Sequence, residues 1–178
     1  ICADTYTKYI SKNNTACRPI FSDAASAILI SKNKKNNIGP FELGADGSGA
    51  DALELPTGTN EIVMNGAKVL TFAMDVVPNN VNKLLKKIKI RKKNIDKFIF
   101  HQASKYILDN INRRLSIDKN KTFENYGKVG NTISASIPIA LKDAHTKGKI
   151  RANKNIIVAG YGVGLSWGSA LLKWNKIL

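Results

Sequence analysis

Apolar residues recur at helical spacing between Gly66 and about Ile88. The apolar positions are Val69, Leu70, Ala73, Val76, Val77, Val81, Leu84, Leu85 and Ile88. Spacings of three and four residues are typical of a helix that buries one side. Pro78 lies inside this segment and has no amide hydrogen to donate, so we expect it to kink the segment or divide it into two helices.

Short runs that are almost entirely apolar indicate strands covered on both faces. Phe98-Ile-Phe100 and Ile156-Ile-Val-Ala159 are such runs, and Leu165 to Trp174 is expected to form a last strand after a tight turn at 160–164. Residues 18–31 are expected to form a buried strand interrupted by small residues. Ile38 to Leu43 is expected to form a further strand.

Two more helices complete the pattern. One follows His101-Gln-Ala-Ser104 and has an apolar stripe of Ile107, Leu108, Ile111 and Leu115. The other begins in the small-residue segment 130–138 and continues to about Lys147, where Gly148 is expected to end it. The order of elements predicts an α/β fold in which helices pack on a mixed β-sheet. The length, 178 residues, suits a single domain.

Composition narrows the class of protein. The chain is 43% hydrophobic, and no apolar run approaches the roughly 20 residues of a membrane-spanning helix. The first residues, Ile-Cys-Ala-Asp-Thr-Tyr, have neither a Met nor a basic segment, so we interpret them as the interior of a longer polypeptide. Cys2 and Cys17 have no metal-ligand spacing, and nothing in the sequence indicates a disulfide-rich secreted fold, so we expect a reducing cytoplasm.

The formal net charge of +15 requires an explanation. The basic residues form small clusters at Lys34-Lys35, Lys86-Lys87, 91–93 and Arg113-Arg114. A solvated basic surface, a nucleic acid, an anionic membrane and an acidic protein partner are all compatible with such a charge. No aromatic residues are interleaved with these clusters as in single-strand binders. Charge alone therefore leaves the partner open.

Candidate catalytic groups lie at three positions where a predicted strand or helix begins or ends. His101 lies at the carboxyl end of a predicted buried strand, where ligands gather in open α/β sheets, although a structural histidine is an equal alternative. Asn131 lies between a loop and a helix, where it could simply cap that helix. Gly162 and Gly164 flank Val163 in a turn that is either a plain bend or a bare amide facing an oxyanion. Together these groups predict a site that polarises a carbonyl.

The same segments carry a family resemblance. His101-Gln-Ala103, then the segment 130–138 beginning Gly-Asn-Thr, then Gly160-Tyr-Gly-Val-Gly-Leu-Ser-Trp-Gly-Ser-Ala170 resemble the β-ketoacyl-acyl-carrier-protein synthase III family in order and spacing. Phe21-Ser-Asp-Ala-Ala-Ser-Ala27 and Met64-Asn-Gly-Ala-Lys-Val69 are similar to earlier family segments. The resemblance runs along most of the chain.

The resemblance implies a thiolase-like fold, in which two similar halves pack as a five-layer α-β-α-β-α sandwich. This chain would supply the C-terminal half as one domain, 1–178. Within it, residues 1–75 would hold the end of the N-terminal half and the connecting region, and residues 76–178 would hold the C-terminal region.

The family catalyses a decarboxylative Claisen condensation, which implies roles for particular residues here. An acyl group passes from coenzyme A to a cysteine, and malonyl-acyl-carrier protein then loses carbon dioxide and attacks that thioester. His101 and Asn131 would stabilise the enolate, and the Val163 amide would belong to the oxyanion hole. The implied substrate-binding positions are Gly66, which would line the pantetheine tunnel, Tyr161 at the acyl pocket, Gly162, Gly164 and Lys8. No metal and no resident cofactor are implied, since the coenzyme A thioester is a substrate.

Departures from the family pattern limit this inference. The family's nucleophilic cysteine lies upstream of the first residue here, and neither Cys2 nor Cys17 matches it, so we expect the isolated chain to be inactive. Ser104 stands where the family usually has Asn, which affects how His101 is oriented. Lys8 keeps the charge of a nucleotide-contacting position and Thr15 does not.

The resemblance also implies partners. Acyl carrier proteins are acidic, and Arg113 and Arg114, with Lys105, match the family's basic docking surface, although a solvated helix end is the alternative. The implied partners are acyl carrier protein and acyl-coenzyme A, with a homodimer at full length, no nucleic acid and no membrane. Two other functions remain open: a related acyltransferase of a specialised glycan or secondary-metabolite pathway, and a basic nucleic-acid-binding module.

Overall fold

The computed structural model describes residues 1–32 and 37–174. Lys34 and Lys35 lie outside the described residues. The central feature is a four-stranded mixed sheet in the order β3-β8-β7-β6. Its strands are β3 (Ile38–Ala45), β6 (Lys97–Phe100), β7 (Lys154–Gly162) and β8 (Ser166–Trp174). β6 and β7 are parallel, and the other two pairs are antiparallel.

Helices cover both faces of this sheet. They are α1 (Gly66–Ile88), α2 (Lys105–Leu115), α3 (Tyr126–Val129) and α4 (Ser136–Thr146). Phe98 and Phe100 of β6 point into a core shared with α1 and α2, while Ile99 between them points into a core shared with α4. This alternation follows from the two-residue period of a strand. The α/β fold with helices on a mixed sheet is confirmed.

Pro78 does not divide the first long helix into two, which was one of the two expected effects of this residue. α1 runs without interruption from Gly66 to Ile88. The expected boundary between the connecting region and the C-terminal region, after residue 75, therefore falls inside this helix. Asn65 caps its start by accepting a hydrogen bond from the Lys68 amide at 3.1 Å. The Pro78 side chain is itself buried, so its packing offsets the loss of one helical hydrogen bond.

The segment 18–31 was predicted wrongly as a buried strand. Only β2 (Ala24–Ser26) forms there, paired with β1 (Cys2–Asp4), and the following Ile28, Leu29 and Ile30 are 55%, 94% and 71% exposed. A second small sheet joins β4 (Leu53–Glu54) to β5 (Val63–Met64). Within 1–32 and 37–174, none of the helices is both long and apolar enough to span a membrane.

Candidate functional site

A cavity of about 820 Å³ opens at the carboxyl ends of β6 and β7. Because these two strands are parallel, the residues that follow each of them meet at the same edge of the sheet. His101, Asn131 and Val163 all line this cavity. Gly66, Tyr161 and Gly162 line it as well. The residues predicted to polarise a carbonyl therefore lie around one pocket.

His101 leaves β6 directly into the cavity. Its amide donates to the Ala159 carbonyl at 2.9 Å, which continues the pairing of β6 with β7 by one residue. Burial lowers the pKa of the imidazole to about 4, and a hydrogen bond with the Ile133 backbone partly opposes that shift. The imidazole is therefore neutral near pH 7 and can donate one hydrogen bond without carrying a charge.

Ser136 is a residue of the site that the sequence did not reveal. Its hydroxyl lies 2.6 Å from Nδ1 of His101, and its side chain is almost completely buried at the first turn of α4. Ser104, which we expected to influence the orientation of His101, instead caps α2 by accepting from the Ile107 amide at 3.3 Å. The His101 imidazole is thus oriented by Ser136 and the Ile133 backbone, and not by Ser104.

Asn131 is fixed by backbone contacts on both sides. Its amide donates to the Ile20 carbonyl at 3.0 Å, and its carbonyl accepts from the Ser22 amide at 2.8 Å. Its side-chain Oδ1 accepts from the Ile133 amide at 3.0 Å. Because the carboxamide oxygen is already engaged, the NH₂ end is the part left to donate. Asn131 precedes a short 3-10 turn (Ile133–Ala135) and does not cap α4 itself.

The end of β7 forms the opposite wall of the cavity. β7 extends through Gly162, so the turn is shorter than expected and comprises residues 163–165. Tyr161 packs edge-on against the His101 ring, with 5.3 Å between the ring centroids. Burial raises the pKa of its phenol, which has no hydrogen-bond partner among the described residues. Tyr161 therefore contributes an apolar, uncharged wall.

Two residues predicted to bind substrate do not line the cavity. Gly164 has φ +137° and serves the turn that follows Val163. Lys8 is exposed, and its ammonium lies 5.5 Å from the centroid of the Tyr9 ring. Gly66, by contrast, opens α1 at the cavity wall, and its assignment to a pantetheine tunnel stays a prediction. The assignments of Gly164 and Lys8 as substrate contacts stay predictions.

The predicted docking residues all lie on the exposed side of α2, but two of them are engaged. Lys105 pairs with Asp109 one turn further along, and Arg114 pairs with Asp75 of α1 at 2.6 Å. Arg113 donates a hydrogen bond to the Asn110 side chain. Exposed pairs of this kind contribute little to stability and exchange partners readily. Arg113 is therefore the one of the three without a carboxylate partner in the described part of the chain.

The cavity contains neither a thiol nor a group of metal ligands in the described part of the chain. Cys2 and Cys17 do not line it, and burial raises the pKa of the Cys17 thiol, which makes a thiolate less accessible. In residues 1–32 and 37–174, no cluster of three or more His, Cys, Asp or Glu side chains could hold a metal ion. The chemistry that this geometry supports is hydrogen-bond donation to a developing negative charge on oxygen.

The depressed pKa of His101 has a consequence for stability. Its folded pKa of about 4 lies below the unfolded value near 6.5, so the unfolded chain takes up this proton first as the pH falls. We expect the free energy of unfolding to drop by up to about 3 kcal/mol from this group between pH 6.5 and 4, with no further loss below. Urea unfolding at pH 7, 5 and 4 should show a smaller drop for His101→Gln. Identical pH dependence in both proteins would contradict the assignment.

Two family models match parts of the chain, and curated relatives and solved structures match nearly its whole length. Residues 85–174 match the model of the 3-oxoacyl-[acyl-carrier-protein] synthase III C-terminal family, and residues 1–47 match the corresponding synthase III model. A β-ketoacyl-[acyl-carrier-protein] synthase III of Staphylococcus aureus (strain Newman) is 33% identical over 175 residues. That match covers 98% of this chain and 56% of the relative. The chain thus spans about half the length of the curated relatives it matches.

Solved structures agree in fold. The 3-oxoacyl-[acyl-carrier-protein] synthase III of Aquifex aeolicus VF5 superposes with a TM-score of 0.92 at 28% identity, over 97% of this chain and 56% of that one. The synthase III of Thermus thermophilus gives a TM-score of 0.86 at 31% identity, over 98% and 58%. With two matching models in the order that the motifs indicated, the chain belongs to the 3-oxoacyl-[acyl-carrier-protein] synthase III family.

Proposed function

We propose that this chain supplies the enolate-stabilising half of a synthase III acyltransferase that begins fatty acid synthesis. The complete enzyme would join an acyl group from coenzyme A to malonyl-acyl-carrier protein with loss of carbon dioxide. The observation that carries the proposal is the convergence of His101, Asn131 and Val163 on one cavity. A neutral imidazole and a carboxamide NH₂ are suitable donors for an enolate oxygen.

The proposed chemistry assigns each group a step. When the malonyl carboxylate leaves as carbon dioxide, its bonding electrons pass to the thioester, and His101 and Asn131 donate to the enolate oxygen. The enolate carbon then attacks the acyl thioester on a cysteine from outside this chain. The Val163 amide, for which the described residues offer no other acceptor, would donate to the resulting oxyanion before the thiolate leaves.

The cellular setting is part of the same proposal. Free Cys2 and Cys17 are compatible with a reducing cytoplasm. Large exposed apolar residues outside the cavity, such as Leu29 and Ile30 at 94% and 71%, fit a full-length homodimer in which further protein covers them. No resident cofactor is needed.

The activity of the full-length enzyme tests the proposal directly. Acetyl-coenzyme A and malonyl-acyl-carrier protein should give a ketoacyl product whose formation requires both substrates. Product from a non-malonyl acceptor only would favour a specialised acyltransferase. Absence of any condensation product, in an enzyme that is acylated by acetyl-coenzyme A, would refute the role in fatty acid synthesis.

The 178-residue chain by itself should not become acylated. Neither of its cysteines faces the cavity, so incubation with acetyl-coenzyme A should leave the intact mass unchanged. Intact-mass spectrometry measures this without a carrier protein. A stable acetyl adduct that disappears in Cys2→Ala or Cys17→Ala would contradict the placement of the nucleophile outside this chain.

A further inference from the structure

A second groove lies at the far end of α1 from the cavity. It encloses about 800 Å³ between the last turns of α1 and the segment that follows them. Its lining consists of Asn79, Asn82, Lys83, Leu85, Lys86, Lys89, Ile90, Arg91 and Lys92. Five of these nine residues are cationic. None is a carboxylate.

The charge around this groove is uncompensated. Residues 83–93 contain seven lysines and arginines and no acidic residue. Lys87 reaches Glu42 at 3.2 Å, and Lys92 donates to the Leu115 carbonyl. The exposed Lys83, Lys86, Lys89 and Arg91 make no ion pair within residues 1–32 and 37–174. Four like charges held together without a counter-charge favour an anionic partner.

The shape of the groove points to a protein helix. Leu85 is buried and Ile90 half-buried, so the floor is apolar while the rim is cationic. An acidic amphipathic helix presents the complementary pattern, with apolar residues toward the floor and carboxylates toward the rim. The lining contains no aromatic residue on which a nucleic-acid base could stack.

The groove is continuous with the surface of α2. Asp75 of α1 holds Arg114, and Asn79 of the groove lies one turn after Asp75 on the same helix. Lys92 ties the other wall of the groove to the carboxyl end of α2 through the Leu115 carbonyl. From Leu70, which lines the cavity, to Lys83 the helix rises about 20 Å. Because Lys92 contacts the end of α2, a partner seated in the groove would lie next to Arg113 and Arg114 in the last turn of that helix.

We propose that this groove docks an acidic helix of the acyl carrier protein and extends the contact surface of α2 along α1. The inference rests on the proposed function, which supplies the partner. Lys83, Lys86, Lys89 and Arg91 would set much of the encounter rate and salt dependence, as charge complementarity generally does.

Charge reversal tests the groove separately from α2. The variant K83E/K86E/R91E is compared with K12E/K128E/K142E, in which exposed lysines outside both pockets change the net charge equally. Titration calorimetry with an acyl carrier protein lacking its prosthetic arm, at several salt concentrations, measures affinity. We expect the groove variant to bind at least tenfold more weakly with a shallower salt dependence, and the control variant to lose less than threefold.

Each other outcome has a defined meaning. If the groove and control variants lose the same affinity for the carrier protein, the inference about the groove is wrong and the proposed function is unaffected. If the wild-type chain binds no carrier protein, the inference about the groove is wrong, whereas the proposed function is decided by the condensation assay on the full-length enzyme. If it binds duplex DNA or anionic vesicles more tightly than the carrier protein, and the groove variant loses that binding, the groove serves another partner and the inference is wrong. The neutral variant K83Q/K86Q/R91Q replaces the reversal if the latter fails to fold, as judged by circular dichroism.

Discussion

Replacing Asn131 by alanine in the full-length enzyme should lower malonyl-thioester decarboxylation by about 10²–10³-fold. The same loss is expected for His101→Ala, because each change removes one donor to the enolate oxygen in the cavity. The two losses should not add when both residues are replaced, since the donors act on one oxygen. Release of carbon dioxide from malonyl-acyl-carrier protein measures this step apart from acylation.

Matched controls separate this effect from loss of folding. His145→Ala at a half-buried position and Asn120→Ala at an exposed one change the same residue types outside the cavity, so each should keep the rate within about threefold. Ser136→Ala should reduce the rate less than His101→Ala and should alter its pH profile, because Ser136 acts only through the imidazole. Wild-type decarboxylation in both His101→Ala and Asn131→Ala would refute the assigned roles.

Gly130→Ala should destabilise the chain by about 3 kcal/mol and displace Asn131. Gly130 has φ +70° and ψ −166°, a conformation that is essentially restricted to glycine. An added Cβ would also press against the Ser22 hydroxyl. Urea unfolding measures the loss of stability, and the amide resonance of Asn131 reports its displacement.

The Gly130 prediction has two internal tests. Gly127→Ala, on α3 with open space around it, should change stability by less than about 0.5 kcal/mol. Combining Gly130→Ala with Ser22→Gly should recover only part of the loss, because it removes the contact and leaves the backbone strain. Full recovery in the double variant would show that the backbone at Gly130 is not strained.

The spacing of apolar residues within a segment was enough to predict the helices and strands that are buried in the core. The three- and four-residue spacing of apolar positions placed both ends of α1, and the all-apolar run placed β6. The segment 18–31 failed because apolar content alone cannot say what a residue packs against. Ile28, Leu29 and Ile30 are apolar and yet exposed, since no described part of the chain covers them.

The site was predictable where it depends on strand ends, and not where it depends on packing. His101 follows β6 and Val163 follows β7, and these two strands are parallel neighbours, so the two residues lie at the same edge of the sheet. Ser136 and His101 are 35 residues apart, and they meet because α4 packs next to β6. No local sequence pattern predicts this contact. The pairing of Lys105 with Asp109, in contrast, follows the four-residue helical interval and could have been read from the sequence.

A crystal structure with a malonyl-thioester analogue that cannot decarboxylate tests the central claim most directly. We expect the analogue to lie in the cavity at the carboxyl ends of β6 and β7, with its thioester-equivalent oxygen within hydrogen-bond distance of both the His101 imidazole and the Asn131 carboxamide nitrogen. An analogue bound elsewhere, or in the cavity with that oxygen turned away from both side chains, would contradict the account.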